Sequence, residues 1–300
     1  MKNCYWLPVL IGCAFIAQFA HAESSPKQHR THKSHKVSAS HGVSTPNLRS
    51  NIAYIFDEQT GSPIYEKNSQ MVAPIASITK LMTAMVVLDA KLRMDEEVTV
   101  AAADLDRIKG TRSRLMVGMV LTRSELLKLA LMSSENRAAS ALGRSYPGGT
   151  PALVAAMNAK ASELGMGDTQ FVDPAGLSQN NVSTAADLVK MVAAAREYSL
   201  IHQYTTTASH SVDGWRGREL RFNNTNPLVR NVSWDIGVSK TGYISEAGRC
   251  LVMEANINER SVIIVLLDSW GKRSRIGDAN RIKKWIEKTP MHSGDNGNGL

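Results

Sequence analysis

Three short strings hold residue types suited to acyl transfer: Ser77-Ile78-Thr79-Lys80, Ser134-Glu135-Asn136 and Lys240-Thr241-Gly242. A serine hydroxyl needs a base beside it before it can attack a carbonyl. A lysine that is costly to keep charged can be that base. Ser77 and Lys80 are spaced to share one face of a helix. Ser134 adds a hydroxyl able to pass protons, and Lys240 with Thr241 can clamp a carboxylate. Each string alone is weak. Ser24-Ser25-Pro26-Lys27 repeats the first pattern and Ser178-Gln179-Asn180 the second, and both read as chance matches. Lys-Thr-Gly occurs once, and the ordered triple carries the weight.

Each member has a duller reading. Ser77 can be a cap with Lys80 snorkelling to solvent. Ser134 and Asn136 can be helix caps, and Lys240-Thr241-Gly242 an exposed turn. The histidines favour lysine as the base. Between the two ends of the chain only His202 and His210 occur, in no metal-ligand spacing and without an H-E-x-x-H string. A Ser-His-Asp triad would need one of them near a serine, which the sequence alone leaves open.

The elements that must position these strings can be sketched from pattern. Ile52 to Tyr65 reads as a hairpin, with Glu58-Gln59-Thr60-Gly61 as its turn. Arg249–Ile257 and Arg260–Asp268 form a second, joined by Asn258-Glu259. A closing helix spans Ala279 to Ile286. The middle is helical. Thr122 to Glu125 is a capping box for a helix through Leu131. Thr150-Pro151 opens another that Gly165 ends, and Thr184 to Asp187 opens a third toward Arg196. The run from Ile78 to Leu88 is apolar nearly all round, which predicts a buried helix with Ser77 in its first turn. There, desolvation would lower the pKa of Lys80. Ser134 and Asn136 fall in an interhelical turn, and Lys240-Thr241-Gly242 on a strand. The expected class is α/β (α+β): an antiparallel β-sheet formed from both ends of the chain, flanked by helices, with an inserted helical lobe. The cleft between sheet and lobe is the natural site.

The ends read differently. Residues 1–22 have the form of a signal peptide: Lys2, an apolar stretch from Leu7 to Ala20, and Ala20-His21-Ala22 before a mature start at Glu23. Leu10-Ile11-Gly12-Cys13 is a competing lipobox. Loss of the signal removes Cys4 and Cys13 and leaves Cys250, in an apolar run, as a buried structural thiol. Residues 23–48 are expected to be a disordered basic linker. Lys27, Arg30, Lys33, Lys36 and Arg49 supply much of the formal charge of +8. That charge suits anionic wall polymers or headgroups. His29, His32 and His35 offer a metal-binding alternative. No nucleic-acid motif follows, so no nucleic-acid partner is expected. Residues 49–287 form the folded domain and 288–300 a disordered tail.

The three strings resemble those of the penicilloyl serine transferases, the penicillin-binding proteins and serine β-lactamases. The likeness spans the folded body and is strongest to low-molecular-mass D-alanyl-D-alanine endopeptidases. Ile75 to Ala90, Ala130 to Ala139, Asp173-Pro174-Ala175-Gly176-Leu177 and Val182 to Ala185 carry it. The resemblance implies a β-lactamase/transpeptidase-like fold. It implies that Ser77 is acylated by a D-Ala carbonyl, Lys80 takes the proton and Ser134 relays protons to the leaving amine. Asn136 then binds substrate and Lys80, while Lys240 and Thr241 hold a carboxylate beside Gly242. The amides of Ser77 and Tyr243 form the oxyanion hole. No metal or organic cofactor is implied. The implied partners are peptidoglycan cross-links, β-lactams as covalent inhibitors, and cell-wall hydrolases as candidate associates.

There is no E-x-x-L-N string to supply a deacylating glutamate, which argues against efficient penicillin hydrolysis. The chain also ends without an added β-rich domain or amphipathic tail, so a soluble periplasmic enzyme is expected. The alternatives are a carboxypeptidase that trims terminal D-Ala, and a wall-binding scaffold with a vestigial site.

Overall fold

The computed structural model describes residues 45–214 and 217–289. The expectations for residues 1–44 and 290–300 lie outside those residues. The chain opens with the hairpin β1 (Ser50–Asp57) and β2 (Ser62–Lys67), then a short β3 (Ala73–Pro74) leading into helix α1 (Thr79–Asp89). Strands β4 (Glu97–Thr99) and β5 (Val120–Thr122) bracket a long loop ahead of α2 (Arg123–Met132), α3 (Asn136–Arg144) and α4 (Gly149–Glu163). Then come β6 (Val182–Ser183), α5 (Ala185–Arg196), α6 (Ser199–Thr205) and the hairpin β7 (Ser209–Asp213) and β8 (Glu219–Asn223). The chain closes with β9 (Asp235–Ile244), β10 (Gly248–Ile257), β11 (Arg260–Ser269) and α7 (Ser274–Lys288).

The main sheet has the order β2-β1-β11-β10-β9, with antiparallel neighbours throughout. The first strand thus pairs with the last, as expected of a sheet built from both ends. The β10–β11 turn holds Asn258 and Glu259 at φ 51° and 61°, the paired left-handed conformations that a two-residue hairpin needs. Period-2 alternation divides each central strand between two cores. Val262, Ile264 and Leu266 face α7 with Leu251 and Met253. Ile263, Val265 and Leu267 face the helical lobe with Cys250 and Val252. Because both faces are covered, β10 and β11 read as continuous apolar runs. Asp278 of α7 ties the ends together, accepting from Ser50 N at 2.8 Å and Ser50 Oγ at 2.5 Å.

The lobe follows its capping signals. Thr122 Oγ1 accepts the Glu125 amide at 3.1 Å, and Glu125 Oε2 accepts the Thr122 amide at 2.8 Å. Thr184 Oγ1 accepts the Asp187 amide at 3.1 Å. α1 is buried from Thr79 to Val87. Two boundaries move outward. Pro46 and Leu48 are buried, so the folded body starts before residue 49. α7 runs from Ser274 to Lys288, longer than the Ala279–Ile286 span expected, because Arg275, Ile276 and Asp278 in its added first turn are already packed against the body. No pattern signalled α6 or the β7–β8 hairpin. Among the described residues no helix is long and apolar enough to cross a membrane.

Candidate active site

Ser77 does not sit in the first turn of α1. It occupies a 3₁₀ turn, Ala76–Ile78, one step before that helix. Two glycines bracket the turn. A Cβ on Gly176 would lie 1.9 Å from Ala76 O, and one on Gly242 of β9 would lie 3.1 Å from Ser77 N. Bare backbone on both sides lets the nucleophile turn dock between the loop and the sheet. Gly176 also has φ +74°, which an added side chain resists. Gly176→Ala is therefore expected to slow acylation by penicillin roughly a hundredfold by displacing Ser77. Labelling rates, with melting to confirm folding, check this.

The spacing nevertheless brings Lys80 to Ser77. Lys80 Nζ lies 2.8 Å from Ser77 Oγ, 2.8 Å from Asn136 Oδ1 and 2.6 Å from Ala175 O. Its side chain is 1% exposed. Burial pushes its pKa down to about 7, against the opposing pull of Asp173, Glu135 and Asp106. The Ala175 carbonyl is held by its own loop. Asp173 accepts the amides of Ala175 and Gly176 at 2.7 Å each and that of Ser178 at 2.8 Å. Thr83 of α1 donates to Pro174 O at 2.8 Å, fixing the loop against the helix.

Ser134 ends the turn after α2 with φ 59°, a left-handed conformation unusual for serine. Its Oγ accepts from Lys240 Nζ at 2.9 Å, and Lys240 also donates to Thr241 O at 2.8 Å. Lys240 is fully buried, and its pKa lies well below that of a free lysine through desolvation and the nearby charges of Lys80 and Arg275. Thr241 Oγ1 donates to Thr225 Oγ1 at 2.7 Å. A cavity of about 390 Å³ is lined by Ser77, Ser134, Asn136, Thr241, Gly242 and Tyr243, with Thr225 and Arg275. All the sequence candidates except Lys80 and Lys240 line it, and those two place their amines within hydrogen-bond distance of its serines, Lys80 at Ser77 and Lys240 at Ser134. The Tyr243 ring is turned toward solvent under the Arg249 guanidinium.

Arg275 was not foreseen. It comes from the first turn of α7 and is 9% exposed. Its Nε and Nη1 have no hydrogen-bond partner among the described residues. An unpaired guanidinium facing a cavity can take a carboxylate on the fork of its donors. A cation at a helix N-terminus opposes the helix dipole, the one local sign that it serves something else. Ser178 and Asn180 are elsewhere: the Ser178 amide serves Asp173, and Ser178 Oγ accepts the Asn180 amide. Neither His202 nor His210 lines the cavity. Cys250 is buried and its thiol is pushed up to about 12 by desolvation, so it is the inert structural thiol expected.

The chain matches the peptidase S11 family, described as D-alanyl-D-alanine carboxypeptidase, over residues 39–271. It is 49% identical over 242 residues to a D-alanyl-D-alanine endopeptidase of Pseudomonas aeruginosa, covering 80% of this chain and 78% of that one. It is 46% identical over 256 residues to a D-alanyl-D-alanine endopeptidase of Escherichia coli, covering 84% and 82%. The fold superposes on a Streptomyces DD-transpeptidase with a TM-score of 0.74 at 29% identity, covering 81% of this chain and 98% of the other.

Proposed function

This chain belongs to the peptidase S11 family, and we propose that it acts as a serine DD-endopeptidase that hydrolyses D-alanyl-diaminopimelate cross-links of peptidoglycan. The observation that carries the reading is the buried Lys80 amine 2.8 Å from Ser77 Oγ, with a pKa near neutral. A base is most effective when its pKa is close to the working pH. Lys80 takes the Ser77 proton as Oγ attacks the D-Ala carbonyl. The amides of Ser77 and Tyr243 receive the oxyanion, worth roughly 3 kcal/mol per donor. Ser134, already hydrogen-bonded to Lys240, relays the proton taken by Lys80 to the leaving amine, which leaves Lys80 neutral again. Thr241 and Arg275 on the cavity wall, with Lys240 buried next to them, receive the carboxylate beside the scissile bond. Water then releases the acyl group from Ser77, with Lys80 again as base. β-Lactams enter by the same attack and stay bound as esters of Ser77.

The names of the two bacterial relatives support cross-link cleavage, and the family's own description supports terminal trimming as the alternative. Both acylate Ser77 and differ only in the amine expelled. Purified protein is expected to convert cross-linked tetrapeptide dimers to monomers faster than it frees D-Ala from a monomeric pentapeptide. The reverse order, followed by chromatography of both digests, would make it a carboxypeptidase. Inertness on both, with intact folding, would favour the wall-binding scaffold. The proposed compartment is the periplasm, since the substrate lies there and the first residues have the form of an export signal.

A further inference from the structure

The long loop between β4 and β5 reaches the catalytic cluster through three successive hydrogen bonds. Asp106 organises the loop: its Oδ1 accepts the amides of Ile108 at 2.8 Å and Lys109 at 2.9 Å. Its Oδ2 accepts the Thr111 amide at 2.9 Å and the Thr111 hydroxyl at 2.6 Å. Thr111 Oγ1 in turn accepts from Asn136 Nδ2 at 3.0 Å. Asn136 Oδ1 accepts from Lys80 Nζ at 2.8 Å.

The order of donors in this chain is forced. An ionised carboxylate only accepts, so the one hydroxyl hydrogen of Thr111 is committed to Asp106. Thr111 then has only lone pairs to offer Asn136. The Asn136 amide must present Nδ2 to Thr111, which leaves Oδ1 for Lys80. The consequence falls on the base. A neutral lysine amine has two N–H bonds and one lone pair. Asn136 Oδ1 and Ala175 O are pure acceptors, and they take both N–H bonds. The lone pair is left for the third neighbour, the Ser77 hydroxyl. Were the amide reversed, its Nδ2 would compete with Ser77 for that lone pair.

We propose that Asp106 and Thr111 are positioning residues that set the polarity of the Asn136 amide and so aim the Lys80 lone pair at Ser77. This rests on the acyl-enzyme reading above. The charged groups around Lys80 come from four elements. Asp173 lies on the loop before β6, Glu135 in the α2–α3 turn and Asp106 on this loop, and all three favour the ammonium. Lys240 on β9 is the fourth, and its own pKa is held down by burial and by the charge of Lys80. The Asn136 oxygen also favours the ammonium, as an acceptor. Removing it should lower the Lys80 pKa below about 7. A loop that merely loosened and admitted water would raise that pKa toward the free-lysine range.

Thr111 is exposed, so Thr111→Val keeps shape and folding while deleting the acceptor. The rate of labelling by a fluorescent penicillin, followed across pH 5 to 9, separates the two outcomes. The expected result is a plateau rate lower by roughly tenfold with a midpoint shifted to lower pH, an unchanged melting temperature, and recovery of both rate and midpoint in Thr111→Ser. A Thr111→Val profile equal to wild type overturns the proposal. So does a midpoint shifted upward, or a Thr111→Ser variant no better than Thr111→Val. Wild-type protein that is not labelled at Ser77 overturns the acyl-enzyme reading and this proposal with it. Labelled wild type beside an unaffected Thr111→Val overturns this proposal alone.

Discussion

Ser77→Ala is expected to abolish covalent labelling by penicillin and to lower peptidase activity to background, a fall on the order of 10⁴-fold or more. The argument is one of geometry and of exclusion. Ser77 Oγ is 2.8 Å from a buried amine and opens on the cavity. Ser134 also lines that cavity, but Lys240 is shared between it and Thr241 O, and only Ser77 sits on the backbone turn that Gly176 and Gly242 admit between loop and sheet. Ser178 has no lysine partner, and its loop is spent on Asp173. Alanine at 77 removes the hydroxyl without disturbing the turn, since the bracketing contacts of Gly176 and Gly242 are to backbone. Intact-mass measurement on penicillin-treated protein checks it. A full adduct on Ser77→Ala, mapped to Ser134 or Ser178, would sink the assignment.

Much of this site was legible because its parts are local. The Ser77–Lys80 pair is set by four consecutive residues, and the placement of Ser134 and Asn136 by the end of one helix and the start of the next. The hairpins announced themselves through β-rich runs flanking turn residues such as Asn258-Glu259, and two helices through their capping residues. What stayed hidden is long-range or carried by backbone. The acceptor at 2.6 Å from Lys80 is a carbonyl, and any residue at 175 would bear one. The Asp173 carboxylate, gathering amides two to five residues ahead, and the Thr83 hydroxyl on Pro174 O hold it in place. Arg275 enters from a helix almost two hundred positions after Ser77 in a fold whose ends meet, so no spacing rule could attach it to the cleft. Thr111 lies in a loop with neither helical nor strand period, and its link to Asn136 exists only once α3 is packed. The 3₁₀ turn at Ser77 was missed because the helix pattern does not distinguish α from 3₁₀ in its opening residues.

The second large effect is expected at Lys80, where Lys80→Arg should slow acylation of Ser77 by roughly 10³-fold although the positive charge is kept. The lysine acts by losing a proton. Burial lowers its pKa to about 7, which makes the free amine accessible near neutrality. Below that pH the ammonium predominates and the wild-type acylation rate should fall about tenfold per pH unit. Above it the rate should level off. A guanidinium stays protonated throughout this range, so the arginine variant should show neither the rise nor the plateau. Size adds to the loss: the site is fitted to one nitrogen with three neighbours at 2.6 to 2.8 Å, and the arginine fork is larger than that space. Because overpacking could by itself reduce the rate, Lys80→Ala with added small primary amines is the companion measurement. Amines that enter the vacated space should restore part of the acylation, with a pH dependence that follows the pKa of the amine supplied. Near-wild-type acylation by Lys80→Arg, or rescue independent of amine basicity, would show that Lys80 serves as a charge and that Ser77 gives its proton to another group.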